Sequence, residues 1–247
     1  MTSKFRKLAA FAASIMAAFL ATAANAMSVS PLVLDMSTTG TSSHEQLSVL
    51  NDAASALPVE IVVSRLELSE NGEMITKPAG DEFLVFPPQA LVKPGGTQNF
   101  RIQWVGDPNI PTSQSYVFSV NQVPVKMSKG QSGVQIVFNF ATIVNVTPPG
   151  GRSEISLVAA GVGKDDKGKL RPEVTVKNPG NINAKLTDAT IRLSSGSWSE
   201  TLEPDELRQA MGLGLVQPGK TRRFALPVDL PNGVKQVTAS IDYKPGK

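Results

Sequence analysis

The 247-residue chain contains no cysteine and a single histidine, His44. Without cysteine there is no disulfide framework, no thiolate nucleophile and no thiolate metal ligand, so stability must come from packing. His44 stands alone in a polar segment ahead of a candidate strand. Zinc or copper needs several ligands, and no Gly-x-Ser-x-Gly elbow accompanies His44 for a serine triad. No metal, no cofactor and no catalysis are therefore expected, and His44 reads as an exposed loop residue. No basic run is interleaved with aromatics, so a nucleic-acid footprint is missing too. Lys164 to Lys167 reads as a charged hairpin tip, because a calcium loop needs more oxygen ligands at regular spacing. A carboxylate pair for glycoside hydrolysis is formed only in space, and the sequence carries no sign of one.

Long apolar runs are confined to the N-terminus. Lys4, Arg6 and Lys7 precede the apolar stretch Leu8 to Ala21, and Ala24-Asn25-Ala26 follows as a small-x-small cleavage site. Residues 1–26 read as a secretory signal peptide, which puts the mature start at Met27 and the protein in an exported compartment. That segment holds three of the 24 basic residues and none of the 21 acidic ones, so the remaining chain is balanced in charge.

What remains alternates. Short β-type runs stand between turn signals, at Met27 to Leu34, Gln46 to Leu50, Val59 to Leu68, Glu82 to Phe86, Gln98 to Val105, Ser115 to Val120 and Val134 to Val146. Asn51-Asp52, Asn71-Gly72, Lys93-Pro94-Gly95-Gly96 and Lys129-Gly130 punctuate them. These candidates match the strand count of an immunoglobulin-like sandwich. Thr147 to Ser153 is rich in Pro and Gly and reads as a short linker. A second strand-rich unit follows, with runs at Glu154 to Ala159, Glu173 to Lys177, Ala184 to Leu193, Thr221 to Leu226 and Gln236 to Tyr243. Pro204 to Met211 is the one helical turn expected. The reading is all-β: an N-terminal domain over 27–147, a linker over 148–153 and a C-terminal domain over 154–247.

The run Val134 to Val146 is long for a strand, uncharged and stopped by Pro148-Pro149. Val134, Ile136, Phe138 and Phe140 share one face of it. Such a strand is either buried centrally or used to hold a partner.

Four pieces occur in order: Phe83-Leu84-Val85-Phe86-Pro87-Pro88, Leu91 to Ile102 with its Lys-Pro-Gly-Gly turn, Ile110-Pro111 to Asn121 followed by Val123-Pro124, and the long strand with its proline stop. In the second half, Val174 to Pro179 ends a strand in Asn-Pro and Leu215-Val216-Gln217-Pro218-Gly219 makes a late turn. Together these resemble the periplasmic chaperones of the chaperone–usher pilus pathway, over essentially the whole chain after residue 26. The resemblance implies two immunoglobulin-like β-sandwich domains in a boomerang arrangement, in the periplasm. It implies pilus subunits and an outer-membrane usher as partners. Subunits that lack a strand would be completed by one lent from the chaperone, a form of β-strand addition. Matched residue by residue, the lent positions are Val134, Ile136, Phe138 and Phe140. Each such side chain, fully buried, is worth roughly 1.5–3 kcal/mol before the costs of association.

The chain departs from the family where relatives hold a subunit's terminal carboxylate with an Arg on the first strand and a Lys late in the long strand. Here those regions read Leu34-Asp35-Met36 and Ile143. Arg101 is the first candidate replacement and Arg65 the second. Ser115 stands where relatives place an acid used in an interdomain salt bridge. The rival reading is a secreted two-domain adhesin or pilus structural subunit. A run that begins at Met27 leaves little room for the free N-terminal extension such a subunit would need.

Overall fold

Alternation with period two dominates residues 27–124, 137–165 and 167–245, which the computed structural model describes, and they fold into strands that bury one face. Four strands of the first half form one sheet: β1 (Met27–Ser30), β3 (His44–Asn51), β6 (Phe83–Phe86) and β8 (Thr97–Trp104), in the order β1-β3-β8-β6. The facing sheet contains β2 (Val33–Ser37), β4 (Leu57–Leu68), β5 (Met74–Pro78), β7 (Gln89–Val92), β9 (Gln114–Gln122) and β10 (Asn139–Thr147). Its order is β2-β10-β9-β4-β5, with β7 beside β4. The inward side chains close one core, which includes Leu47, Val49, Phe100, Ile102, Phe118 and Val144. Phe83 is its centre. Trp104, Tyr116 and Phe118 pack edge-on around it at 5.1, 4.8 and 4.9 Å between ring centroids, an arrangement favoured by the ring quadrupoles.

The second half builds its own core around Val174, Val176, Leu186, Ile191, Leu193 and Leu207. One sheet is β11 (Ser156–Lys164), β12 (Leu170–Lys177) and β17 (Thr221–Ala225). A second has β15 (Trp198–Leu202), β14 (Ala189–Ser195) and β18 (Thr238–Tyr243), and β13 (Ala184–Lys185) pairs with β16 (Leu215–Val216). Helix α1 runs from Pro204 to Met211 as expected. Pro204 begins it, and the Glu206 carboxylate accepts the Glu203 N–H at 2.9 Å, which meets one free donor of the helix start.

Two buried asparagines pin strand ends. Asn51 Nδ2 donates to the carbonyls of Ser55, Val92 and Lys93 at 2.8, 3.0 and 3.2 Å. Asn178, of the Asn-Pro motif, donates to the carbonyls of Ile182 and Val216 at 2.8 and 2.9 Å and accepts from the Gly180 N–H.

Several strand boundaries differ from expectation. Met27 to Leu34 is not one strand. It breaks at Pro31, which has no N–H for a ladder, and the chain crosses between sheets there: β1 pairs antiparallel with β3, and β2 pairs parallel with β10. Ala184 to Leu193 is divided by a 3-10 turn at Leu186–Asp188. His44 is exposed but opens β3 rather than sitting in a loop. Four strands were not foreseen: β5, whose five residues are all exposed and so carry no alternation, and the short β7, β15 and β16.

Phe100 is fully buried. Phe100→Ala is expected to cost the first sandwich about 3–5 kcal/mol. Urea unfolding followed by Trp104 fluorescence, in a Trp198→Phe background, reads that sandwich alone.

Candidate functional site

β10 is unevenly partnered. All of it but Thr147 pairs antiparallel with β9, from Asn139↔Asn121 to Val146↔Gln114. Its other edge pairs with β2 only from Ile143↔Val33 to Thr147↔Ser37. The Ile143 N–H reaches the Leu32 carbonyl at 3.0 Å, and the Thr142 hydroxyl donates to the Pro31 carbonyl at 3.2 Å. Before that point, over Asn139 to Ala141, no strand among the described residues runs along this edge. The opening follows from the crossing at Pro31: residues 27–30 belong to β1 in the other sheet, so β2 lies along β10 only from Val33 onward.

The expected strand began at Val134. Val134 and Ile136 lie outside the described residues. Phe138 precedes β10 and is 39% exposed, with Val137 beside it at 40%. Its backbone still meets the end of β9, since the Gln122 N–H donates to the Phe138 carbonyl at 3.1 Å. Phe140 is half-buried and packs on the first core.

Arg65 and Arg101 lie on different sheets. Arg65, on β4, is held by the Glu82 carboxylate at 2.5 Å and donates to Gln114 Oε1 at 2.9 Å and Tyr116 Oη at 3.2 Å. The hydrogen bond to Glu82 raises its pKa above the ordinary guanidinium value, so its charge is already matched. Arg101, on β8, is exposed, opposite Phe86 in the ladder. It lines a shallow 220 Å³ cavity with His44, Leu84 and Phe86 on the outer face of the other sheet.

A polar seam between the sandwiches was not foreseen. Gln217, 7% exposed, donates from Nε2 to the Leu66 carbonyl and accepts the Leu68 N–H at Oε1, both at 2.8 Å. Asn183 Nδ2 donates to Ser115 Oγ and Asn145 Oδ1, both at 2.9 Å, and its N–H donates to Ser113 Oγ at 2.6 Å. Ser115 thus joins the sandwiches by hydrogen bonds where relatives are expected to use an acid. Ion pairs flank the seam: Lys185 with Asp35 at 3.1 Å, Lys220 with Glu67 at 3.4 Å and Arg223 with Glu70 at 2.5 Å. Asp35 lies in the region where relatives carry their anchoring Arg. It binds Lys185 and accepts from Asn145 Nδ2 at 2.8 Å, so the charge pattern there is inverted.

This two-sandwich fold has counterparts. Residues 29–151 match the family described as pili and flagellar-assembly chaperone, PapD N-terminal domain. Among solved structures, the class 5 fimbriae chaperone CfaA is 12% identical with a TM-score of 0.53, covering 89% of this chain and 100% of its own. The CsuC-CsuE chaperone-tip adhesion subunit complex from archaic Csu pili of Acinetobacter baumannii is 14% identical, TM-score 0.52, covering 81% and 90%. The Salmonella enterica SafA pilin in complex with the SafB chaperone is 16% identical, TM-score 0.52, covering 84% and 86%. At these identities the likeness is one of fold. No curated protein sequence matches the chain. Fold and family match define a class, the two-domain pilus chaperones. Through residues 29–151 the chain belongs to the pili and flagellar-assembly chaperone family, and its role is that of a chaperone.

Asn183→Ala removes the donor shared by Ser115 and Asn145 and is expected to weaken the seam by about 1–3 kcal/mol. Small-angle scattering in increasing urea should show the sandwiches separating at lower denaturant than in the parent.

Tyr116 supplies a pH test. Burial, then the hydrogen bond and charge of Glu82, push its pKa well above its usual value of 10.0. The folded protein keeps this proton where the unfolded chain releases it. The resulting stability is complete below about pH 10 and declines as pH rises beyond it. Tyr116→Phe should flatten the alkaline fall in urea midpoint between about pH 9 and 11.

Proposed function

We propose that this protein is a periplasmic chaperone that captures incomplete pilus subunits by β-strand addition and delivers them to an outer-membrane usher. The open edge of β10 carries the reading: among the described residues Asn139 to Ala141 is paired on one side only, and exposed Val137 and Phe138 lie immediately before it. An unpaired strand edge beside exposed apolar side chains is what a subunit lacking a strand requires, since main-chain bonds give pairing and alternate side chains fill pockets. Val134, Ile136, Phe138 and Phe140 are the proposed donor positions. Phe140, already packed on the chaperone's core, marks where lent strand becomes resident strand. The pilin and tip-adhesin complexes of the SafB and CsuC chaperones support pilus subunits as the partners.

The signal-like segment 1–26 agrees with periplasmic work. The division into 27–147, a linker over 148–153 and 154–247 is supported by the cores: the first cluster's last described member is Val146 and the second's first is Ile155. The function makes and breaks no covalent bond and uses no cofactor. The adhesin or structural-subunit reading is not favoured, because the family match covers the sandwich that carries β10. Arg101 and Arg65 remain the candidate carboxylate anchors on the first sandwich. Arg101 is the better placed of the two for a ligand, since Arg65 is committed to Glu82.

Co-expression with exported subunit proteins followed by pull-down tests the reading. Phe138→Asp or Ile136→Asp is expected to abolish subunit recovery while circular dichroism stays that of the parent. Undiminished recovery with either folded variant overturns the donor strand.

A further inference from the structure

The ladder between β9 and β10 continues one residue beyond the start of β10. Its outermost strand pair is Asn139↔Asn121, so Phe138 falls opposite Gln122. An antiparallel pair at this phase exchanges two main-chain bonds. Here only one of them is main chain to main chain: the Gln122 N–H donates to the Phe138 carbonyl at 3.1 Å. The Phe138 N–H donates instead to a side chain, Gln122 Oε1, at 3.2 Å. Gln122 thus supplies both the donor and the acceptor of the last rung. The next N–H along the chain, that of Val123, serves β4 through the Pro58 carbonyl at 2.9 Å.

The phase of the ladder decides which main-chain groups of the strand are free. The Ile143 N–H faces β2, where it meets the Leu32 carbonyl. By period-two alternation the main-chain groups of Ala141, Asn139 and Val137 face that same side, the open one, and those of Phe140 and Phe138 face β9. For Ala141 and Asn139 this phase is held by the ladder to Ser119 and Asn121. Val137 and Phe138 precede the strand and are 40% and 39% exposed, so burial does not hold them. Among the described residues, both main-chain bonds of Phe138 go to Gln122. A rotation at this point would carry Phe138 away from the face it shares with Phe140, since adjacent residues of a strand point to opposite faces.

We propose that Gln122 is the positioning residue of the lent strand. Its side-chain amide keeps Phe138 in phase with Phe140, so that both rings are offered on one face and the N–H and C=O of Val137 extend the open edge. This role rests on the chaperone reading, and it names the part of the chaperone's own fold that prepares the strand for a subunit.

Two variants test it. Q122L removes the acceptor and keeps an apolar side chain of similar reach; Q122E keeps an acceptor oxygen. In isotope-labelled protein followed by NMR, the Phe138 amide is expected to exchange with solvent about threefold to tenfold faster in Q122L, the worth of one hydrogen bond. The amides of Val144 and Val146 should be unmoved, and Q122E should behave as the parent. In pull-downs from cells that co-express subunits, recovery should fall in Q122L and return in Q122E, with the circular dichroism of both that of the parent. Unchanged Phe138 exchange in Q122L overturns the rung. Faster exchange with undiminished recovery, or equal loss of recovery in Q122L and Q122E, overturns the positioning role. If the parent itself recovers no subunit, the chaperone reading fails, and the exchange measurement still judges the rung.

Discussion

A strand in a sandwich must satisfy two edges, and β10 satisfies both over only half its length. From Ile143 to Thr147 it lies between β9 and β2, fixed by ladders on each side. Ahead of Ile143 no strand among the described residues runs along the β2 side. The doubly paired half holds the strand in the core through Val144 and Val146, which are fully buried. The singly paired half is thereby presented on a rigid support, which lowers the ordering cost of any β-addition partner. The sheet crossing at Pro31 is the source of the asymmetry, so one proline sets where the pairing of β10 with β2 begins.

Side-chain amides and hydroxyls join the two sandwiches, beside ion pairs and main-chain bonds. Gln217 satisfies a carbonyl and an N–H of β4 as a strand rung would. Asn183 does the same service for Ser113, Ser115 and Asn145. Directional bonds of this kind fix orientation more sharply than apolar burial does, since each has a narrow range of useful angles.

Much of the architecture was legible because alternation writes itself into sequence wherever one face is buried. The span of β4, the position of β9 and the limits of helix α1 follow from that pattern and from Pro204. Strands that bury nothing, such as β5, leave no trace in it. Met27 to Leu34 misled because alternation continues through Pro31 while the partner sheet changes, and a period cannot report which sheet a strand joins. Of the proposed donor positions, the sequence singled out a face; Phe138 is exposed and Phe140 packs on the core. The interface residues Asn183 and Gln217 were invisible because polar residues in turns look alike whether they face water or another domain. Asp35 alone left a signal, as an acid standing where the resemblance leads one to expect a base.

The hydrogen-bonded character of the seam has a thermal consequence. Apolar contacts weaken on cooling because their hydration carries a large heat-capacity term, whereas exposure of polar groups contributes a smaller term of opposite sign. A junction held by Gln217, Asn183 and the Lys185–Asp35 pair therefore loses little of its grip in the cold. The relative setting of the two sandwiches is buffered against temperature, even as the hydrophobic cores on either side of it are not.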